Sequence, residues 1–482
     1  MTEQQHNEPQ HSEPALTIAN LRPTYDGKPF PGSELPTIEQ AVAEAQQYVD
    51  RAWKEDGSFV TWPEHEEWGA NYGPLSLYTG AAGVAWFQLA KLNSELAEDG
   101  DLDRLNKALS YLEAHWSILT EPDHEFISVD PDTGYCGGLA GIAAVVAEAA
   151  ARYERWRPLA VNIADALAER YRPGEGWTGL SPLWGDAGIL NALLAIGKAL
   201  GEQRYTDVAV QAGEDLLAKE IRDDDGSHWP YMHLHDMSER YASFPDKAMI
   251  DGFLEGGDGI ALALSNLALA TGRDDFKQAA LRALDTVKTK AIVVGDSAIS
   301  RNLNESGQAR FGLCSGSSGY IRIYTAVARI SDDPADTIGW ARRFGRGLIR
   351  SGVPGRLAQD NYWLLSQCCG GAAVLEAFTA LWLETGEELW FQAASAQADD
   401  LLIRSWSDKL GRRWYTESYA LRDVGRLKAE VGYQVGAAGV ALSLIHFHQA
   451  KRSHDDGVHF STPRLPDEPY VTNDDGFPFA GV

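Results

Sequence analysis

Cysteine is scarce in this chain, four residues in 482. So few cannot form the disulfide framework of a small secreted scaffold, and free thiols fit a reducing compartment, so the expected location is cytoplasmic. The first residues, MTEQQHNEPQHSEP, are polar and acidic with no apolar stretch, so no signal peptide is expected. No uninterrupted apolar run reaches membrane-spanning length, so no membrane-spanning helix is expected. Basic residues are few, 42 Lys and Arg against 69 Asp and Glu, for a formal net charge of −27. That balance disfavours nucleic acid and anionic membranes as partners. It fits a solvated acidic surface or a salt-adapted cell, and it would attract a basic peptide. Alternation of β-branched residues is also scarce, which argues against a sheet core.

What the chain has is a repeat. Seven glycine turns occur along it: YTGAAG (Gly80, Gly83), YCGGLAG (Gly138, Gly141), LWGDAG (Gly185, Gly188), LEGGDG (Gly256, Gly259), LCSGSSG (Gly316, Gly319), CCGGAA (Gly370, with Ala373 in the last place) and YQVGAAG (Gly436, Gly439). The first glycines are 47 to 71 residues apart. Each turn opens an apolar run such as IAAVVAEAAARY or IALALSNLALATG, and amphipathic runs such as LNKALSYLEAHWSIL lie between. Each repeat therefore reads as an outer amphipathic helix and an inner helix apolar on all sides. An inner helix of that kind must be surrounded by other helices, so seven hairpins closed on themselves predict an all-α fold, an α/α toroid. Glycine at the start of each inner helix permits close approach of neighbouring backbones. Residues 1–35 are polar and Pro-rich and are expected to be disordered, 36–452 to form the toroid, and 453–482 to be a tail partly packed on it.

Three of the four cysteines fall in two of the turns: Cys314 in the fifth, Cys368 and Cys369 in the sixth. A closed ring would bring both turns to one mouth, where inner-helix N-termini favour anions. Zinc accepts thiolates, and catalytic zinc sites use three protein ligands with one open position. A structural zinc, or buried unreactive thiols, would use the same residues. Adjacent cysteines are poor spacing for an ordinary zinc ribbon. Cys136, before the second turn, has no partner and reads as a core thiol. Glu255, in the fourth turn, is placed to move a proton, or is a polar helix-start residue like Asp258. Arg310, four residues before Cys314, is placed to neutralise an oxyanion, or to make an ordinary salt bridge. His446 and His448, late in the last inner helix, read as core or surface residues.

The turns, with their cysteines in the fifth and sixth, resemble the lanthionine synthetase C-like (LanC-like) family of lantibiotic cyclases. SLYTGAAGVAWFQL is similar to that family's first repeat, and the seven repeats follow its order over roughly residues 40–450. In the family the fifth turn reads R-x-x-x-C-[YH]-G; Arg310 and Cys314 match it, with Ser315 where Tyr or His is usual. The sixth reads C-H-G; here Cys369 stands in the histidine place, giving a Cys-Cys-Gly variant. Glu255 occupies the place of the fourth-turn histidine, and Ser181 that of the third-turn aspartate, for which Asp186 is a possible substitute. The resemblance implies Zn2+ held by Cys314, Cys368 and Cys369, with an altered acid/base set in Glu255 and Arg310. It implies a lanthionine synthetase that adds a cysteine thiolate to dehydroalanine or dehydrobutyrine in a dehydrated precursor peptide. The chain has no room for a dehydratase, kinase or lyase domain, so a separate dehydrating enzyme is implied as partner. The alternatives are an enzyme that adds a small thiol such as glutathione to dehydrated residues, a non-catalytic zinc-bearing scaffold, and a carbohydrate-active toroid using two carboxylates such as Glu255 and Asp258.

Overall fold

The computed structural model describes residues 35–64, 73–121, 132–182, 184–224, 226–229, 251–254, 256–302, 307, 309–354, 364–417, 427–457, 460, 467–470 and 476–482. Among the described residues, fourteen α-helices alternate between an outer and an inner layer. The inner helices are α2 (Ala81–Leu92), α4 (Leu139–Arg152), α6 (Asp186–Leu200), α8 (Ile260–Thr271), α10 (Ser317–Ala328), α12 (Gly371–Thr385) and α14 (Ala437–Asp456). The outer helices are α1 (Ile38–Asp50), α3 (Asp101–His115), α5 (Arg157–Ala168), α7 (Gln203–Ala218), α9 (Asp274–Lys290), α11 (Pro334–Arg350) and α13 (Glu388–Ile403). Each inner helix packs on the next around the ring, and α14 packs back on α2. The outer partner of α14 is α1, so the two ends of the repeat region form one hairpin.

The two layers differ as their sequences require. The outer helix α3 buries Leu105, Ala108, Leu109 and Leu112, one stripe at helical spacing. The inner helix α8 buries every residue from Ile260 to Ala268, and each Leu so enclosed adds about 1.5–3 kcal/mol. α8 ends at Gly272 in the left-handed conformation (φ 69°), a helix stop that other residues adopt at a cost. Among the described residues, no helix is long and apolar enough to cross a membrane.

Short antiparallel hairpins carry the chain away from three outer helices: β1 (Ile221–Asp223) with β2 (Gly226–His228), β3 (Ile292–Val294) with β4 (Ser297–Ile299), and β5 (Trp406–Asp408) with β6 (Gly411–Arg413). A fourth pairs β7 (Thr416–Glu417) with β8 (Leu427–Lys428). Strands of two or three residues are too short to show an alternating pattern, which is why the sequence gives no sign of them.

The glycine turns build two stacked layers. In six of them the N–H of the first glycine bonds to the carbonyl four residues earlier, as Gly80 does to Ser76 and Gly370 to Ser366. The residue two before that glycine bonds to its counterpart in the neighbouring turn. Tyr78 N–H donates to Cys136, Gln434 to Tyr78, Cys368 to Gln434, Cys314 to Cys368 and Leu254 to Cys314, at 2.8 to 3.2 Å. The side chain one place earlier lies over the next turn's second glycine. A Cβ on Gly188 would stand 1.9 Å from the Pro182 carbonyl oxygen and 2.8 Å from Tyr135 Cβ, and one on Gly439 1.6 Å from the Tyr433 oxygen. The sixth turn has Ala373 there instead, and its methyl group lines a cavity of about 690 Å³, counted to its opening, with Leu313, Gln367, Glu376, Tyr433 and Glu468.

Of residues 1–35, where disorder is expected, all but Leu35 lie outside the described residues. At the other end of the chain, Asp467 and Glu468 are buried and both pair with Arg322 of α10.

Candidate metal centre

The sulfur atoms of Cys314, Cys368 and Cys369 lie within 4.8 Å of one another, with Cys369 Sγ 3.3 Å from Cys368 Sγ. Three thiolates on one tetrahedral zinc, with bonds near 2.3 Å, stand roughly 3.8 Å apart, so the set is compact enough for a single ion. The turns explain the meeting. Cys314 and Cys368 hold the same place in neighbouring turns and are joined by the Cys314 N–H to Cys368 carbonyl bond, 3.2 Å. Cys369 follows directly, its N–H directed to the Ser366 hydroxyl at 3.4 Å. Cys314 and Cys368 are buried and Cys369 is partly open, so the group has one accessible side.

The Cys314 thiol is pushed well above its ordinary value, first by hydrogen bonding with Cys368 and Cys369 and then by burial. A bound dication reverses this, because coordination deprotonates a thiol.

Tyr78, from the first turn, reaches across to the sixth, and its hydroxyl donates to Cys368 Sγ at 3.2 Å. Burial, then the neighbouring sulfurs, push its phenol well above the ordinary value and keep it a donor. Gln434 lies between these two turns; its side chain is buried and its Oε1 has no hydrogen-bond partner among the described residues. Sequence reasoning named neither residue. The available signal was register, since Tyr78, Cys314, Cys368 and Gln434 each stand two places before the first glycine of a turn.

The other sequence candidates divide. Arg310 is exposed, and its carbonyl accepts the Ser317 N–H at 3.3 Å. Glu255 lies outside the described residues; Leu254, just before it, bonds to the Cys314 carbonyl at 3.0 Å. Cys136 is fully buried and apart from the three-cysteine group. Ser181 caps its own turn, accepting the Trp184 N–H at 3.3 Å, as Ser76 accepts that of Thr79 at 3.0 Å. Asp186 accepts from the N–H groups of Trp177 and Thr178 at 2.8 and 3.3 Å. Asp258 accepts from the Gly252 N–H at 2.7 Å and the Tyr320 hydroxyl at 2.8 Å. Burial raises both carboxyls to about 6. They tie loops to inner-helix starts, and neither belongs to the thiol group. His446 is buried and bonds to Glu376 at 2.8 Å, while His448 bonds to Glu95 at 2.9 Å.

Comparison with solved structures finds nisin cyclase, with a TM-score of 0.56 at 15% identity, covering 90% of this chain and 97% of that one. An unsaturated glucuronyl hydrolase from Bacillus sp. GL1 also matches, at a TM-score of 0.43, 14% identity, and 88% and 98% coverage. So does the α-1,6-mannanase from Salegentibacter sp. HEL1_6, at 0.43, 11%, and 76% and 98%. Comparison with curated protein sequences gives no match. The sequence profile of the lanthionine synthetase C-like proteins matches residues 72–459, and with the seven-hairpin ring this places the chain in the lanthionine synthetase C-like family.

Proposed function

We propose that the chain is a lanthionine synthetase, closing thioether rings in a dehydrated precursor peptide. The observation that carries this reading is the convergence of three cysteine sulfurs within 4.8 Å at one mouth of the ring. Cys314, Cys368 and Cys369 would hold zinc, leaving one position for a thiol from outside. Zinc there would supply an activated thiol, lowering its pKa so that the thiolate exists at neutral pH.

The chain's own groups carry the remaining steps. The peptide thiol gives up its proton and its sulfur adds to the β-carbon of dehydroalanine or dehydrobutyrine. The C–S bond forms as the alkene π pair moves to the α-carbon and carbonyl, giving an enolate. Arg310, exposed at the start of the fifth turn, offsets the charge on the enolate oxygen. Glu255 takes the thiol proton and returns one to the α-carbon, the work of a histidine elsewhere in the family. Dehydration of serine and threonine belongs to a separate enzyme, which makes that enzyme a partner. A cytoplasmic site of action fits the free thiols.

The test is direct. Wild-type protein should carry one zinc per chain, lost in Cys314→Ala, Cys368→Ala and Cys369→Ala and kept in Cys136→Ala. With a dehydrated cysteine-containing peptide, thiol loss is followed by alkylation and mass spectrometry. Glu255→Gln should keep zinc and slow ring closure by about 10²–10⁴-fold. A wild-type protein that never accelerates thiol loss, with peptide or with glutathione, would leave a scaffold in place of the enzyme.

A further inference from the structure

We propose that Tyr78 is a positioning residue of the thiol centre, its hydroxyl donating to Cys368 and offsetting the charge of a three-thiolate set. The inference rests on the metal reading above and concerns a residue from the opposite end of the chain. Tyr78 and Cys368 are 290 positions apart, and the hydroxyl stands 3.2 Å from the sulfur. Their spacing is fixed through Gln434, whose N–H bonds to the Tyr78 carbonyl at 2.9 Å and whose carbonyl accepts the Cys368 N–H at 2.8 Å. Two backbone hydrogen bonds therefore set the distance that the tyrosine ring spans. A side chain so held meets its acceptor with little ordering left to do.

The chemistry gives the contact a task. A dication with three thiolates carries one net negative charge, and a fourth thiolate from a substrate makes it two. A histidine in place of Cys369 would contribute none of that charge. In a half-closed pocket the excess is costly unless donors meet the sulfurs. An O–H directed at Cys368 draws electron density from that sulfur, stabilising it as a ligand and leaving more of the ion's charge for the incoming thiol. Groups that hold the ligands of a metal in this way set its affinity.

Tyr78→Phe keeps the ring and removes only the donor. Zinc affinity, measured by competition with a chromogenic chelator, should fall by about 10–100-fold. In protein loaded with Co2+, the sulfur-to-metal charge-transfer band should move to longer wavelength, because a thiolate without its donor gives up an electron more readily. Incorporating 3-fluorotyrosine at position 78 strengthens the donor and should move the band the other way, which tests the same bond in a protein with its full side-chain framework. Circular dichroism of each metal-free variant separates loss of affinity from loss of fold. If Tyr78→Phe binds zinc within twofold of wild type with the band in place, the role of Tyr78 is overturned while the centre stands. If wild type takes up neither zinc nor Co2+, the metal reading and this inference fall together.

Discussion

Asp258 is a buried carboxyl group with two donors, the Gly252 N–H and the Tyr320 hydroxyl, and its protonation is coupled to folding. Burial raises Asp258 and Asp186 from 3.8 to about 6. Between those values the folded protein binds protons that the unfolded chain releases, so stability falls as pH rises and the loss is complete above about 6. At 1.36 kcal/mol per unit, each group contributes at most about 3 kcal/mol to that fall. Asp258→Asn keeps an acceptor for Gly252 and Tyr320 and removes the titration. Its urea midpoint should decline less than that of wild type between about pH 4 and pH 6.5; parallel declines would show that Asp258 is not the group responsible. At this scale the sequence was legible where chemistry is written in residue type. Three cysteines at helix starts announced themselves, and they do meet. Asp186 and Ser181 were ambiguous because a buried polar group serves a backbone as readily as a substrate. Tyr78 was invisible because an aromatic residue in a turn is ordinary until the ring brings it to a sulfur.

Glycine at element scale has two opposite effects in this fold. Gly339 sits within α11 with nothing within 4 Å of where its Cβ would be. Gly339→Ala should stabilise by about 0.5–1 kcal/mol through helix entropy alone. Gly439, at the start of α14, has the Tyr433 oxygen 1.6 Å from that position and Gln367 Cγ at 3.1 Å. Gly439→Ala should destabilise by about 1–3 kcal/mol or more. Urea unfolding of the two variants reads both signs in one experiment, and a Gly439→Ala protein as stable as wild type would remove the packing account of the second glycine. The inner helices were readable as unbroken apolar runs and the outer ones as stripes. The β-hairpins were not, since three residues carry no period.

Across the whole molecule, a largely buried cation helps fasten the tail to the ring. Arg322 of α10 faces Asp467 and Glu468 and lies over the Phe253 ring at 5.0 Å. Asn266 of α8 donates to the Asp467 carbonyl at 3.0 Å, and Phe479 N–H to Glu384 at 2.9 Å. Arg322→Met strands two buried carboxylates and should cost about 3–5 kcal/mol. Adding Asp467→Asn and Glu468→Gln should recover much of that, and a triple variant no more stable than the single one would argue against the ion pairs as the cause. The tail was expected from the sequence to be partly packed, but nothing there singled out its acidic pair. A pairing between positions 322 and 467 leaves no local pattern.

The hairpin formed by α1 and α14 puts a delay into the making of the protein. α1 ends at residue 50 and α14 begins at 437, a gap of 387 positions (437 − 50) that a ribosome crosses in about 20–80 s at ~5–20 residues per second. Throughout that interval Val42, Ala45 and Val49, all buried in the finished ring, wait for the helix that will cover them. The turns bearing Cys314, Cys368 and Cys369 are neighbours and emerge before that moment. The bond from Tyr78 to Cys368 runs beside Gln434 and has to wait for the last turn. A nascent chain can thus gather its three sulfurs early, while the tyrosine contact forms only when the circle is complete.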